Sequence, residues 1–174
     1  LQWICGLPKT VQAFCQEGKW HDIEVEDDVT AYLEFENGAT GVFVTTTGDA
    51  PGTNRFEVTG TKGKLVCEND QLTFWKLGMD EREFCRTAKE GFAKPECQEI
   101  QVETDGENQQ HVGVLNAFAG KILRGTPLVA DGKEGINGLT LSNAMHLSSW
   151  LKHPVEIPFD EDLFLAELDK RRAT

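Results

Sequence analysis

The stretch DVTAYLEFENGATGVFVTTT, residues 28–47, constrains the fold more than any other part of the chain. Val29, Ala31, Leu33 and Phe35 alternate with more polar neighbours, the period of a strand with one buried face. Asn37-Gly38 then reads as a two-residue hairpin turn, and Val42 and Val44 resume the alternation on the return arm. A helix cannot bury a pattern of period two, so this region commits the chain to an antiparallel sheet.

The same turn chemistry recurs downstream. After the loop GDAPGTN come the strand candidates RFEVTG, KLVCE and LTFWKL, the last two separated by Asn69-Asp70. CQEIQVET is a further strand candidate, following a polar, irregular stretch at 78–96. The segment VTGTKGKLVCE, residues 58–68, has the vocabulary of a phosphate-binding loop in Gly60, Gly63 and Lys64. It fails that test three times. Val58 stands where the first glycine belongs, Leu65 replaces the metal-binding hydroxyl, and a strand rather than a helix follows. It therefore reads as a hairpin, with Gly60 and Gly63 supplying positive φ.

Beyond Glu107 the period changes. His111, Val112, Leu115, Phe118, Ala119 and Ile122 fall on one helical stripe, closed by Gly125 and Pro127. A second helix, from about 134 to 152, is expected to bury Ile136, Leu139, Ala144, Leu147 and Leu151 before Pro154. A short strand VEIP and a tail helix DEDLFLAELDKRR follow, the latter acidic at its start and basic at its end, as the helix dipole favours. Near the beginning, Pro8 is expected to start a helix reaching Gly18 with Val11 and Phe14 inward. The expected class is α+β: a mostly antiparallel open sheet of about six strands with helices packed on one face. The other face, represented by Thr45, Thr47, Phe74 and Trp75, is expected to be covered by a second copy in a homo-oligomer.

Composition excludes several functions. The 174 residues carry a formal charge of −12, which disfavours nucleic acid or an anionic membrane as partner. No apolar run is long enough to span a bilayer. Five cysteines without CxxC spacing suit reduced thiols in a cytoplasmic protein better than a disulfide framework or a zinc site. The four histidines lack metal-ligand spacing, and no nucleophile elbow is present. His146, amid an apolar helix face, reads as a hydrogen-bonded core residue, and Asp27 with Asp28 as a solvated turn or sheet-edge pair. No complete catalytic set emerges from the residues themselves.

The order of elements resembles a known family. VEDDVTAYLEFENGATGVFVTTTGDAPGTNRFEVTGTKGKLV, then QHVGVLNAFAGKILRGTPLVADGKEGINGLTLSNAMHLSSW, then VEIPFD are similar to the C-terminal domain of the Gfo/Idh/MocA oxidoreductases. The likeness runs over nearly the whole chain, so residues 1–174 are expected to be one substrate-binding and oligomerisation domain of a larger two-domain protein. The chain opens on LQWICGLP, within an apparent amphipathic helix, which fits a natural N-terminus lying elsewhere. The resemblance implies an upstream Rossmann domain holding NAD or NADP, and hydride transfer at a hydroxyl carbon of a sugar, polyol or related compound. The family's catalytic Lys sits in that upstream domain, and its Asp/Asn and His pair lies on the helix just before the stretch matching LQWICGLP. The resemblance therefore assigns no catalytic, cofactor-binding or metal-binding residue to this chain, and an isolated chain is expected to be inactive.

Two parts of the family's substrate pocket carry over. The loop and strand start APGTNR point to Thr53, Asn54 and Arg55, and the position seven before Phe118, which bears a substrate-contacting aromatic in some relatives, is His111. Two plainer readings stay open beside them: a cross-strand salt bridge for Arg55 and a solvent-facing helix start for His111. A non-enzymatic binding or assembly module using its sheet face is the alternative to the enzyme reading.

Overall fold

The computed structural model describes residues 1–107 and 109–172. Its elements run α1 (Gln2–Cys5), β1 (Thr10–Glu17), β2 (Glu26–Glu34), β3 (Thr40–Thr46), β4 (Arg55–Gly60), β5 (Gly63–Glu68), β6 (Gln71–Leu77), α2 (Glu81–Thr87), β7 (Cys97–Val102), α3 (Gln110–Arg124), α4 (Gly135–Leu151), β8 (Val155–Glu156) and α5 (Glu161–Arg172). The class is α+β, with eight strands among the described residues divided between two four-stranded antiparallel sheets, β3-β2-β1-β8 and β4-β5-β6-β7. The chain forms two compact units, one from residues 1–49 with the chain from Pro127 on, the other from Ala50–Thr126.

In the first unit the expected helix from Pro8 to Gly18 is the strand β1. Val11 with Phe14 satisfies a helical spacing, but Val11 with Ala13 also satisfies a strand. Pairing decides between them: β1 runs against β2 from Thr10↔Glu34 to Glu17↔Glu26. Val11 and Ala13 are accordingly buried, whereas Phe14 is exposed on the opposite face.

The core lies between this sheet and α4. Val11, Ala13, Val29, Ala31 and Leu33 face Leu141, Ala144, Met145 and Leu147, and Val155 of β8 joins them. Ile136 and Leu139, expected inward, lie on the exposed part of α4. Two polar contacts lock helix to sheet. The strand β8 pairs only with Thr10 and Val11, so the N–H groups of Ala13 and Cys15 continue an edge without a strand beside it. Ser148 Oγ accepts from Ala13 N at 3.0 Å and Ser149 Oγ from Cys15 N at 2.9 Å. The fully buried Ser148 hydroxyl also donates to the carbonyl of His153, so neither of its roles is left unmet.

The β2–β3 turn falls where Asn37-Gly38 predicts it, but it is one residue longer. Phe35 N donates to Ala39 O, enclosing residues 36–38, and Gly38 alone takes positive φ while Asn37 Oδ1 accepts from Ala39 N. The exposed face of this sheet carries Phe14, Thr30 and Val44 in one row and Gln12, Tyr32 and Val42 in the next. The residues expected there lie elsewhere. Thr45 shares the helix-facing side with Phe43, Thr47 follows β3, and the neighbours Phe74 and Trp75 belong to the other sheet. A slip of one residue exchanges the faces of a strand, which is why sequence alone named the wrong members.

In the second unit Asn69 and Asp70 both take positive φ and join β5 to β6, while at the β4–β5 turn only Gly63 does so. A Cβ on Gly63 would come within 2.2 Å of the Trp75 carbonyl oxygen, so close approach as well as φ requires glycine there. The stretch 78–96 contains a helix that its polarity concealed: Asp80 caps α2 by accepting from Arg82 N. The predicted helix over 111–122 forms as α3, closed by left-handed Gly125, and the stripe residues Val112, Leu115, Phe118 and Ile122 are exposed.

Truncating Leu147, which is 1% exposed, should cost about 2–5 kcal/mol as a cavity opens under the sheet. Truncating exposed Leu139 should cost far less. Urea unfolding of the two alanine variants checks the assignment; equal losses would contradict it.

Candidate functional site

The four residues expected to touch substrate all lie in the second unit. Thr53 and Asn54 are exposed in the segment leading into β4, and His111 is the exposed second residue of α3. Arg55 opens β4 opposite Glu68 in the ladder. Its guanidinium bonds Glu68 Oε2 at 2.7 Å across the strands and Glu57 Oε2 along its own strand. Lys64 Nζ stands 3.4 Å from Glu57 on its other side. These bonds hold Glu57 below the usual carboxylate range, Arg55 being the largest influence. Arg55 thus makes the cross-strand pair that the plainer reading described.

A highly organised polar cluster forms around Asp27, which, expected with Asp28 as a solvated turn or sheet-edge pair, is itself 3% exposed. Its carboxylate accepts from the backbone N–H groups of Lys19, Trp20 and His21 at 3.0, 2.7 and 2.9 Å, closing the loop between β1 and β2. Burial alone would raise its pKa. The three N–H groups outweigh burial, the His21 ring adds to them, and together they hold the carboxyl below its ordinary 3.8. Asp28, next in the chain, accepts from Lys19 Nζ at 2.8 Å and from the Trp20 indole at 3.2 Å. Adjacent acids followed by a strand gave no hint that one would turn inward. The GKWH segment that wraps it was the only available signal.

Each unit also has a cavity among the described residues. In the first, a space of about 270 Å³ lies between β1–β3 and α4, walled by Val29, Phe43, Leu141 and Met145, with Glu26 and His146 at its polar side. His146 Nε2 is 3.4 Å from Glu26 Oε1, and its ring lies 5.4 Å from that of Trp150. The residue is therefore half-buried and partnered, close to the core role expected for it. Cys15 also lines this space, and burial pushes its thiol up, against a partial opposing effect of Ser149. In the second unit a cleft of about 470 Å³ is lined by Lys64, Trp75, Glu81 and Cys97, with the Lys64 ammonium 5.2 Å from the Trp75 ring.

All five cysteines are free thiols. Among the described residues no group of three or more His, Cys, Asp or Glu side chains could hold a metal ion, and no helix is long and apolar enough to cross a membrane. The chemistry on display is hydrogen bonding and ion pairing.

Residues 1–66 match the family described as the GFO/IDH/MocA C-terminal domain. No curated protein matches the chain. Among solved structures, the WlbA dehydrogenase from Bordetella pertussis, in complex with NADH and UDP-GlcNAcA, has a TM-score of 0.67 at 19% identity, over 92% of this chain and 43% of that one. The WlbA dehydrogenase from Chromobacterium violaceum, in complex with the same two molecules, has a TM-score of 0.63 at 25% identity, again over 92% and 43%. An aldose–aldose oxidoreductase from Caulobacter crescentus, complexed with glycerol, has a TM-score of 0.66 at 18% identity, over 90% and 43%. Over residues 1–66 the family match agrees with the likeness read from the sequence, and the solved structures share the fold over about nine-tenths of the chain. The chain spans less than half the length of these solved structures.

Because the folded state holds Asp27 ionised, its contribution to stability is present above the unfolded carboxyl's ordinary value of 3.8. It is lost as pH falls through the lower folded value. The gap in urea midpoint between the wild-type chain and Asp27→Asn should stay constant from neutrality to roughly pH 5 and close at pH values below the ordinary carboxylate range. A gap that persists undiminished into strong acid would contradict this assignment.

Proposed function

We propose that this chain is the substrate-side and self-association domain of a nicotinamide-dependent oxidoreductase acting at a hydroxyl carbon of a sugar, polyol or related compound. The observation that carries the reading is the family match over residues 1–66, on a fold shared with dehydrogenases whose structures contain NADH and a sugar nucleotide. Hydride transfer would be the nicotinamide's chemistry. The sequence itself has no G-x-G-x-x-G, and Gly60 with Gly63 joins two strands instead of opening a helix, so the dinucleotide cradle of such enzymes is not found in these residues. The cofactor would therefore be held by another part of the protein.

On this reading Thr53, Asn54 and His111 are substrate-facing groups, their exposed side chains able to hydrogen-bond hydroxyls. Arg55 would contribute through a guanidinium already oriented by Glu57 and Glu68. The exposed sheet face with Phe14, Tyr32, Val42 and Val44 would be the contact between copies, because such a face is costly to leave in water.

Titrating the isolated chain with NADH and following cofactor fluorescence should give no saturable binding. Saturation at micromolar concentration would contradict the reading. Sedimentation of the same chain should show self-association, abolished by Val42→Lys together with Val44→Lys while the circular dichroism spectrum stays unchanged. A wild-type chain that remains monomeric at high concentration removes the proposed interface.

A further inference from the structure

The loop closed by Asp27 uses backbone N–H groups, and any residue at position 21 would supply the third of them. The imidazole of His21 is extra to that closure, yet it is held from two sides. Nδ1 lies 3.0 Å from Thr47 Oγ1 and 3.4 Å from Asp27 Oδ2. A bare Nδ1 beside a carboxylate oxygen would set two lone pairs against each other, so in the neutral ring Nδ1 carries the proton. That proton is donated to Thr47 Oγ1, and the Thr47 hydroxyl can in turn donate to the Asp27 carbonyl, 3.4 Å away.

Nε2 is then an acceptor, and no protein partner meets it among the described residues, on a side chain that is 50% exposed. The corner that carries it is closely packed. Trp20 packs so closely on Gly48 that a Cβ there would fall 2.3 Å from the indole, and Trp20 Nε1 donates to Asp28. A fixed tautomer, a fixed ring direction and a free acceptor on a braced loop together make a preorganised ligand contact.

We propose that His21 is a hydroxyl-binding residue, with Nε2 accepting the O–H of a small polyol while Asp27 and Thr47 fix the tautomer and direction of the ring. The polyol class rests on the oxidoreductase reading above; the open acceptor does not. Long-range proton–nitrogen spectra of the ¹⁵N-labelled chain should show His21 in the Nδ1–H form, with Nε2 shifting saturably as myo-inositol or glycerol is added. His21→Asn places an amide donor where Nδ1–H was and removes the second nitrogen. It should keep the wild-type thermal midpoint and lose the polyol response of the neighbouring Trp20 indole N–H, whereas His21→Ala should lose both. An Nε2–H tautomer, a lack of response to either polyol, or an equal fall in midpoint for the Asn and Ala variants would each overturn the proposal. Failure of the oxidoreductase reading would show separately, as absence of NAD(P)-dependent turnover by the complete protein.

Discussion

The two hydrogen bonds from the β1 edge to Ser148 and Ser149 are the constraint on which the first unit depends. The strand β8 is too short to pair the whole of β1, and unmet N–H groups at Ala13 and Cys15 would be costly beside a dry core. By meeting them, the helix α4 is fixed in position along the sheet as well as pressed against it. The small side chain of Ala13 allows that close approach, and Ser148 then reaches His153 to tie down the turn after the helix. Two further contacts use this seating. The Glu26–His146 pair lies between sheet and helix, and the aromatic contact of Trp150 with Phe164 carries the packing on to α5.

Much of the fold was legible because its signals are local. Alternation over 29–35 and 42–44 locates two strands, and Asn69-Asp70 marks a turn that needs two positive φ angles. Acids at 160–162 and bases at 170–172 mark the two ends of α5. The failures share a different cause. Thr10–Glu17 satisfies two periodicities, and only its long-range pairing with β2 selects the strand. Leu139 and Leu141 look equally apolar in sequence, yet only Leu141 meets the sheet. Residues 78–96 lack an apolar stripe, so the short helix α2 depends on a cap that composition does not advertise.

The site was legible to a smaller degree, for a related reason. Charge pairing between Arg55 and Glu68 follows from strand register and could be anticipated once the hairpin was recognised. The inward turn of Asp27 could not, because it depends on three successive N–H groups of a loop folding back over six to eight residues. The resemblance names Thr53, Asn54 and His111, and the matched region ends at residue 66, well before His111. No motif marks the side chain of His21.

The central claim is that these residues serve an oxidoreductase whose nicotinamide is bound elsewhere in the protein. Its most direct test compares the complete protein with residues 1–174 in the same assay, following NAD(P)H absorbance over a panel of sugars, sugar acids and polyols. The account predicts cofactor-dependent turnover of at least one hydroxyl compound by the complete protein and none by residues 1–174 alone. Turnover by residues 1–174 alone, or a complete protein that turns over none of the panel with either cofactor, would contradict it.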